Sequence, residues 1–575
     1  MKFKSRRPEA APQPRADDAY DDRIAHLLVT AGKIEPYQLD ALRAGAPESQ
    51  LAAELMRSGI VTDDALTRLV AEHFGCEVID FREDPDPEAV ALLAIEQARD
   101  LNAVPVALDG ELVVVAVLDP SPEHVARIAA VIGRDVRPTV ASLRALSRAL
   151  DTEYRATGEV GKHVQAFEAR DLVRKDAAQD LAQVNEDAPV VQVVQKVITQ
   201  GLRDRASDIH IEPSGERVRV RFRIDGALND VLDLPASIGP ALVSRLKILG
   251  GMNIVERRRA QDGQISMNVE GREVDIRVAT TAVIGGEKVV MRLLDKSRPL
   301  FQLAQLGMPL DTADRYRTLV HQPYGMIVCA GPTGGGKTTT LYASLGELDT
   351  PERNIMTIED PVEYTFDSIN QIQINEQAGI TFAGGLKSIL RQDPDVILVG
   401  EIRDVDTARI AVQSALTGHM VLSSLHATEA VSALYRLLDM GIEPFLVASS
   451  VSGVMAQRLV RRSCTSCLEP YDPTIEELGF LRSFGGEDPV GGFTHGVGCH
   501  FCAHTGYLER IGVYELLSVT DEVRGLIVDR VPHDEMRKLA RSQGMRTLQE
   551  QGARLVADGV TTPSEVMRSI YVAGV

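Results

Sequence analysis

Hydrophobic and polar positions change rhythm several times along the chain, and each change marks a different kind of element. Between residues 21 and 155 the rhythm is first helical and then mixed. Arg23-Ile-Ala-His-Leu-Leu-Val-Thr-Ala-Gly-Lys-Ile34 is echoed by Leu51-Ala-Ala-Glu-Leu-Met-Arg-Ser-Gly-Ile-Val61. Each places apolar residues at helical spacing and ends in a glycine with an apolar residue one or two places on, as a helix C-cap and staple require. The pair predicts a two-fold repeat of short helices. Leu112-Val-Val-Val-Ala-Val-Leu118 is then a buried strand. Residues 156–185 are charged and weakly patterned, which predicts a linker helix. From 186 to 300 the rhythm becomes strict alternation. Arg217-Val-Arg-Val-Arg-Phe-Arg-Ile224 is a half-exposed strand that ends at the turn Asp225-Gly226. Residues 274–278 and 288–294 give two more strands. The region predicts a small α+β (PAS-like) domain with arginines on one face of its sheet.

Beyond residue 300 the strands are short apolar runs, at 324–330, 354–358, 396–399 and 420–425, with helical segments between them. Runs of that kind are buried parallel strands, so residues 301–575 predict an α/β domain of RecA-like type. The first strand leads into Gly331-Pro-Thr-Gly-Gly-Gly336-Lys337-Thr338, and a helix follows from Thr339. This is the pattern G-x-x-x-x-G-K-[ST] in its strand–helix context. Gly331, Gly334, Gly335 and Gly336 let backbone N–H groups turn inward around a polyphosphate, and the helix N-terminus adds partial positive charge. Lys337 would reach the β- and γ-phosphates and Thr338 would hold Mg²⁺, with Thr333 and Thr339 in the same contacting stretch. The ligand is ATP or GTP.

In open α/β sheets the catalytic groups lie just past the carboxyl ends of the strands. Here Ile358 is followed by Glu359-Asp360-Pro361, Val399 by Gly400-Glu401, and Leu425 by His426. The common Walker B strand ends in Asp then Glu, but Gly400 takes the Asp place. Two carboxylates therefore serve two tasks. One of Glu359 and Glu401 holds Mg²⁺ through water, and the other orients or deprotonates the attacking water. His426 would contact the γ-phosphate and report its loss. His419 has a structural or switching role.

Composition narrows the setting. The chain has 575 residues, too many for one core, and about three or four domains are expected. No apolar run approaches a membrane span, and no apolar segment follows the basic start of the chain. A cytoplasmic chain that docks on a membrane protein is expected. Residues 1–20, rich in Pro, Ala and charge, predict a flexible tail. Net charge of −20, with no Trp, argues against nucleic acid as the partner. Cys464-Thr-Ser-Cys467 and Cys499-His-Phe-Cys502 are two C-x-x-C pairs, the ligand set of a tetrahedral zinc site. The long gap between them, with Pro470, Pro473 and Pro489, predicts an inserted loop within 463–505. Cys76 and Cys329 lie in apolar surroundings and are expected to be inert core residues.

The four stretches 331–338, Thr357-Ile-Glu-Asp-Pro-Val-Glu363, Arg391-Gln-Asp-Pro-Asp-Val-Ile-Leu-Val-Gly-Glu-Ile-Arg403 and Thr417-Gly-His-Met-Val-Leu-Ser-Ser-Leu-His426 resemble the secretion ATPases, the motors of type II secretion and type IV pilus assembly. There they are the Walker A, Asp box, Walker B and His box. The resemblance extends over about residues 186–575 and includes Ala206-Ser-Asp-Ile-His-Ile-Glu-Pro213, Gln261-Asp-Gly263 and the tetracysteine insert. It implies that Glu359 activates water and that Glu401 works with Mg²⁺. It implies a homohexamer with ATP between the small domain and the RecA-like domain, so that Arg277 and Arg292 stabilise the phosphates and Arg391 joins them. It implies partners among the inner-membrane platform and assembly proteins of the machine, and a cytoplasmic place at that membrane. Residues 21–155 are similar to the family's N-terminal domain, which in some members binds cyclic di-GMP through helical repeats that begin Leu-Gly. Here those places read Ile24-Ala25 and Leu51-Ala52, which favours a docking domain. Two other classes share a RecA-like fold. The acidic balance counts against a nucleic-acid translocase, and intact Lys337, Glu359 and Glu401 count against a scaffold that binds ATP without hydrolysis.

Overall fold

Side-chain periodicity decides the sheets of this protein, and the sheets divide between two units. The structure, a computed structural model, describes residues 16–39, 51, 55–56, 60–81, 83–174, 188–295 and 302–570. One unit comprises residues 1–158 with the short segment 498–504, the other residues 159–497 and 505–575.

In the first unit, helix Ala16–Thr30 begins inside the stretch expected to be a tail, so residues 16–20 are helical. Gly32, at φ +64°, closes it as expected. Ile24, Ala25, Leu28 and Ile34 are buried together with Leu51, Leu55, Leu66 and Val70. Most of the second predicted helix, Ala52 included, lies outside the described residues, as do residues 1–15 of the tail and 175–187 of the linker. Strands β1 (Ala103–Asp109), β2 (Leu112–Val117) and β3 (Val136–Val140) form a small sheet, antiparallel between β1 and β2 and parallel between β2 and β3.

The second unit opens with helix Val160–Arg174, in the predicted linker. Its Val160 and Val164 are buried in the core of the small domain, so this stretch is part of that domain. Six antiparallel strands follow: β4 (Asp208–Ser214), β5 (Arg217–Ile224), β6 (Ala227–Pro235), β7 (Gln261–Val269), β8 (Arg272–Val283) and β9 (Gly286–Asp295). Their spatial order is β6-β5-β4-β9-β8-β7. Val218, Val220 and Phe222 of β5 are buried with Ile209, Ile276 and Met291 against helices Pro189–Arg203 and Gly239–Leu249. Each such side chain contributes roughly 1.5–3 kcal/mol on burial. A slip of one residue would exchange these side chains for arginines, which fixes the register. The other face is polar. Arg223, Asp208, Arg292 and Arg277 stand directly opposite one another in successive strand pairs.

The RecA-like part contains β10 (Gly325–Ala330), β11 (Ile355–Glu359), β12 (Asn370–Gln373), β13 (Val396–Val399), β14 (Met420–Leu425) and β15 (Val451–Ser463). Their pairings are parallel, as expected of doubly buried strands. One edge departs from the expectation, because β18 (Tyr507–Ser518) returns antiparallel to β15. The full order is β12-β11-β13-β14-β10-β15-β18. Met326 and Val328 enter the core on one side of β10, and Ile327 and Cys329 the core on the other. Between the cysteine pairs the predicted loop is instead ordered. It holds the hairpin β16 (Leu468–Pro470) and β17 (Thr494–Gly496) and helix Ile475–Ser483. That helix starts at a capping box: Thr474 Oγ1 accepts from the Glu477 N–H at 3.2 Å, and Glu477 Oε2 from the Thr474 N–H at 2.8 Å.

Candidate active site

The strand order sets β11, β13, β14 and β10 side by side, so their carboxyl ends bring Glu359, Glu401, His426 and the glycine loop to one edge of the sheet. Gly336 ends the loop at φ +85°, and the helix that follows runs Lys337–Leu348. A Cβ on Gly331 would stand 2.6 Å from the backbone oxygen of Gln457, which is why that place is a glycine. Lys337 Nζ donates to Gly331 O at 2.9 Å and to Pro332 O at 3.0 Å, inside its own loop. Burial holds its ammonium below the usual lysine range, and Arg458 adds to this while Glu401 opposes it. Thr338 and Thr339 are half-buried and Thr333 is exposed on the same loop.

Glu359 is only 4% exposed, so it is not a solvated loop residue. Its Oε1 accepts from Thr357 Oγ1 at 2.5 Å and from Gln371 Nε2 at 3.1 Å. Its Oε2 accepts from the hydroxyl of Tyr342, which stands on the helix after the glycine loop. Burial, and then the charge of Glu359, push the Tyr342 phenol well above its ordinary range. Glu401 is held differently. Its Oε1 lies 2.8 Å from His426 Nε2, and its Oε2 lies 2.9 Å from an Arg403 guanidinium nitrogen. Arg403 also reaches Asp360 Oδ2 at 3.3 Å. One chain of polar contacts thus joins the ends of β11, β13 and β14. Gly400 has a steric reason: a Cβ there would lie 3.3 Å from Ile358 O and 3.4 Å from the Glu359 Cα, so the common Asp would press on β11.

Arg277 and Arg292 are opposite each other on β8 and β9. Arg292 Nε lies 3.1 Å from Asp208 Oδ1. Burial lowers the Arg277 guanidinium from its usual range, and the charges of Glu363 and Asp360 pull it back. Burial in turn raises the Glu363 carboxyl against the pull of Arg277 and Arg292. The charges of both arginines are thus felt at Glu363, in the loop that follows Glu359. Arg391 is exposed, and the hydrogen bonds and ion pairs that knit this site do not involve its side chain. His419 Nδ1 sits 2.9 Å from Ser414 O, next to the amino end of β14, at the opposite edge from His426. Sequence reasoning missed Tyr342, Gln371, Glu363 and Arg403. Of these, only Glu363 and Arg403 fell inside a motif that could have marked them.

The ligand sulfurs of Cys464, Cys467, Cys499 and Cys502 all lie within 4.8 Å of one another, and those of Cys499 and Cys502 are 3.8 Å apart. Metal–sulfur bonds of about 2.3 Å in a tetrahedron give sulfur separations of about 3.8 Å. The cluster fits such an ion. Cys329 is fully buried, and burial pushes its thiol up to about 12, as an inert core residue requires. Cys76 is half-buried.

Residues 183–568 match the family described as type II/IV secretion system protein, and residues 74–160 match the MshEN domain. The type II secretion system protein HxcR of Pseudomonas aeruginosa is 46% identical over 74% of this chain and 87% of its own length. The type IV pilus assembly ATPase PilB of Myxococcus xanthus is 38% identical over 95% of this chain and 98% of its own. The type II secretion system protein E of Xanthomonas campestris pv. campestris is 39% identical over the same shares, 95% and 98%. Among solved structures, the pilus retraction motor PilT with bound ADP is 25% identical, covering 65% of this chain and 96% of its own at a TM-score of 0.45.

Proposed function

This chain belongs to the type II/IV secretion system protein family, and from that premise we propose that it works as a homohexameric motor driving pilin-like subunits out of the inner membrane. It is an ATPase of the type II secretion and type IV pilus machinery. The observation that supports the motor reading is the pair of acids at adjacent strand ends beside the glycine loop, each immobilised by its own donors.

Lys337 leaves its loop carbonyls for the β- and γ-phosphates, and the N–H groups of residues 334–338 take the remaining oxygens. Thr338 and Glu401 would hold Mg²⁺, which would neutralise charge on the phosphates. Glu359 takes the proton of the attacking water, and His426, already bonded to Glu401, reports the loss of the γ-phosphate. Arg277 and Arg292 bring positive charge from the small domain. The four cysteines would hold zinc as a structural ion that needs no open position.

No helix among the described residues is long and apolar enough to cross a membrane. In this reading the motor sits on the cytoplasmic side and reaches the membrane through a platform protein. Steady-state phosphate release from the purified chain tests the reading. Mg-ATP should be hydrolysed, and Lys337→Ala should remove turnover from a protein that still folds. Parent-like phosphate release by that variant would refute the assignment of the loop.

A further inference from the structure

Gln457 meets the glycine loop at more points than any residue of the loop's own motif requires. In the parallel register Ala456 of β15 stands opposite Ala330, the last residue of β10, so Gln457 lies beside Gly331, where the loop begins. Its side chain is buried, with 1% of the residue exposed. The amide nitrogen donates to Gly335 O at 2.7 Å, across a separation of 122 residues. The amide oxygen accepts from the Cys329 thiol at 3.4 Å. That pair of contacts fixes which way round the amide sits, because the reverse orientation would set its oxygen against the Gly335 carbonyl.

The loop's glycines fit this one residue. Cβ atoms on Gly331 and Gly335 would meet the Gln457 backbone oxygen at 2.6 Å and 3.4 Å, and one on Gly336 would meet its amide nitrogen at 2.9 Å. The consequence is conformational. In a trans peptide the C=O and the following N–H point to opposite sides. Drawing the Gly335 carbonyl toward β15 turns the Gly336 N–H away from β15, to the side on which a bound phosphate receives it. Gln457 is thus a neutral donor that grips the Gly335 carbonyl from a neighbouring strand, and it has no reason to leave when phosphate draws Lys337 away from Gly331 and Pro332.

We propose that Gln457 is a positioning residue for nucleotide binding, which holds the glycine loop in its phosphate-receiving shape before the ligand arrives. The inference rests on the nucleotide-site reading above. Two variants test it. Gln457→Met keeps the apolar volume and removes both polar contacts, and Gln457→Glu keeps the shape and removes the donor. Purified full-length parent and variants are titrated with ADP in the presence of Mg²⁺, melted without nucleotide, and assayed for ATP turnover. Both variants should bind ADP at least tenfold more weakly, with KM for ATP raised about as much and kcat within about threefold of the parent. Amide hydrogen exchange at residues 334–338 should quicken in the nucleotide-free variants. A parent that binds no ADP sinks the nucleotide reading and this inference with it. A parent that binds, beside folded variants that bind equally well, sinks the positioning role alone. So does a lowered melting temperature with unchanged ADP affinity in the folded fraction, since that pattern belongs to packing.

Discussion

Glu359 has room for one more hydrogen bond, and that is the property a catalytic base needs. A carboxylate offers about four lone-pair directions. Thr357 and Gln371 occupy Oε1 and Tyr342 occupies one direction at Oε2, which leaves a single site at Oε2 for water. Glu401 instead spends its oxygens on His426 and the Arg403 guanidinium, an arrangement that a divalent ion can enter by displacing one of them. Glu359→Gln should therefore retain ATP while slowing hydrolysis by about two orders of magnitude or more, the usual cost of losing a general base. ATP titration and single-turnover phosphate release measure the two quantities separately. Turnover at the parent rate would move the base to Glu401. Both acids were legible in the sequence because they follow short apolar strands. The side chains that seal Glu359 were not: Tyr342 lies on a helix like any buried aromatic, and Gln371 on an edge strand with no distinctive neighbours.

Strands buried on both faces were the most legible elements. β13 and β14 match their runs end to end; the two serines of β14 are absorbed by donating to the Val399 and Gly400 carbonyls, at 2.8 Å and 2.7 Å. β11 starts one residue late because the Asn354 backbone N–H donates to Asp395 Oδ2 at 2.7 Å instead of to a neighbouring strand, while its side-chain nitrogen donates to the carbonyls of Gln392 and Asp393 at 2.7 Å and 2.9 Å. Elements supported by remote partners were hidden. Glu515 of β18 accepts N–H groups at the first turns of two helices, from Ala430 and Leu548, which lie 85 and 33 residues away. Helix Ile475–Ser483 has a capping box but buries only Glu477, Phe480 and Leu481, too few positions to show a helical stripe. Phe480, Leu481, Phe484 and Phe493 tie the insert to a small cluster with Val460, Leu548 and Val566, and the four cysteines gather its two ends. One equivalent of zinc per chain is expected from elemental analysis, and Cys464→Ser or Cys502→Ser should lose it. Loss of the metal should loosen residues 463–505 to protease while ADP affinity stays within about twofold. Metal-free protein with undiminished resistance to protease would refute the site.

Within the second unit the small domain touches the RecA-like part along two lines of charge. One lies away from the acids: Arg205 Nη1 meets Glu509 Oε1 at 3.1 Å, and Asp225 Oδ2 accepts the Glu509 N–H at 3.0 Å, at the turn after β5. The other acts at longer range: Arg277 feels the charges of Glu363 and Asp360, and Glu363 those of Arg277 and Arg292. A partly exposed ion pair such as Arg205–Glu509 is worth about 0–1 kcal/mol, so these charges alone do not lock the domains together. Arg277 and Arg292 face each other across β8 and β9, where Asp208 pairs with Arg292 and Glu363 answers for Arg277. Two neighbouring cations on one sheet face favour an added anion, and the γ-phosphate is the anion that appears and leaves once per cycle. Arg277→Ala and Arg292→Ala should each lower kcat about a hundredfold, the size seen when one preorganised donor to developing charge is removed. ADP affinity should change by less than about threefold, because ADP lacks the group that the arginines favour. Turnover kinetics and ADP titration on the same preparations decide the matter. If both variants hydrolyse ATP at the parent rate, the arginines serve only the polar face of the small sheet, and hydrolysis is not coupled to domain closure through them. If ADP affinity collapses along with kcat, they bind the nucleotide uniformly, and closure is not keyed to the γ-phosphate.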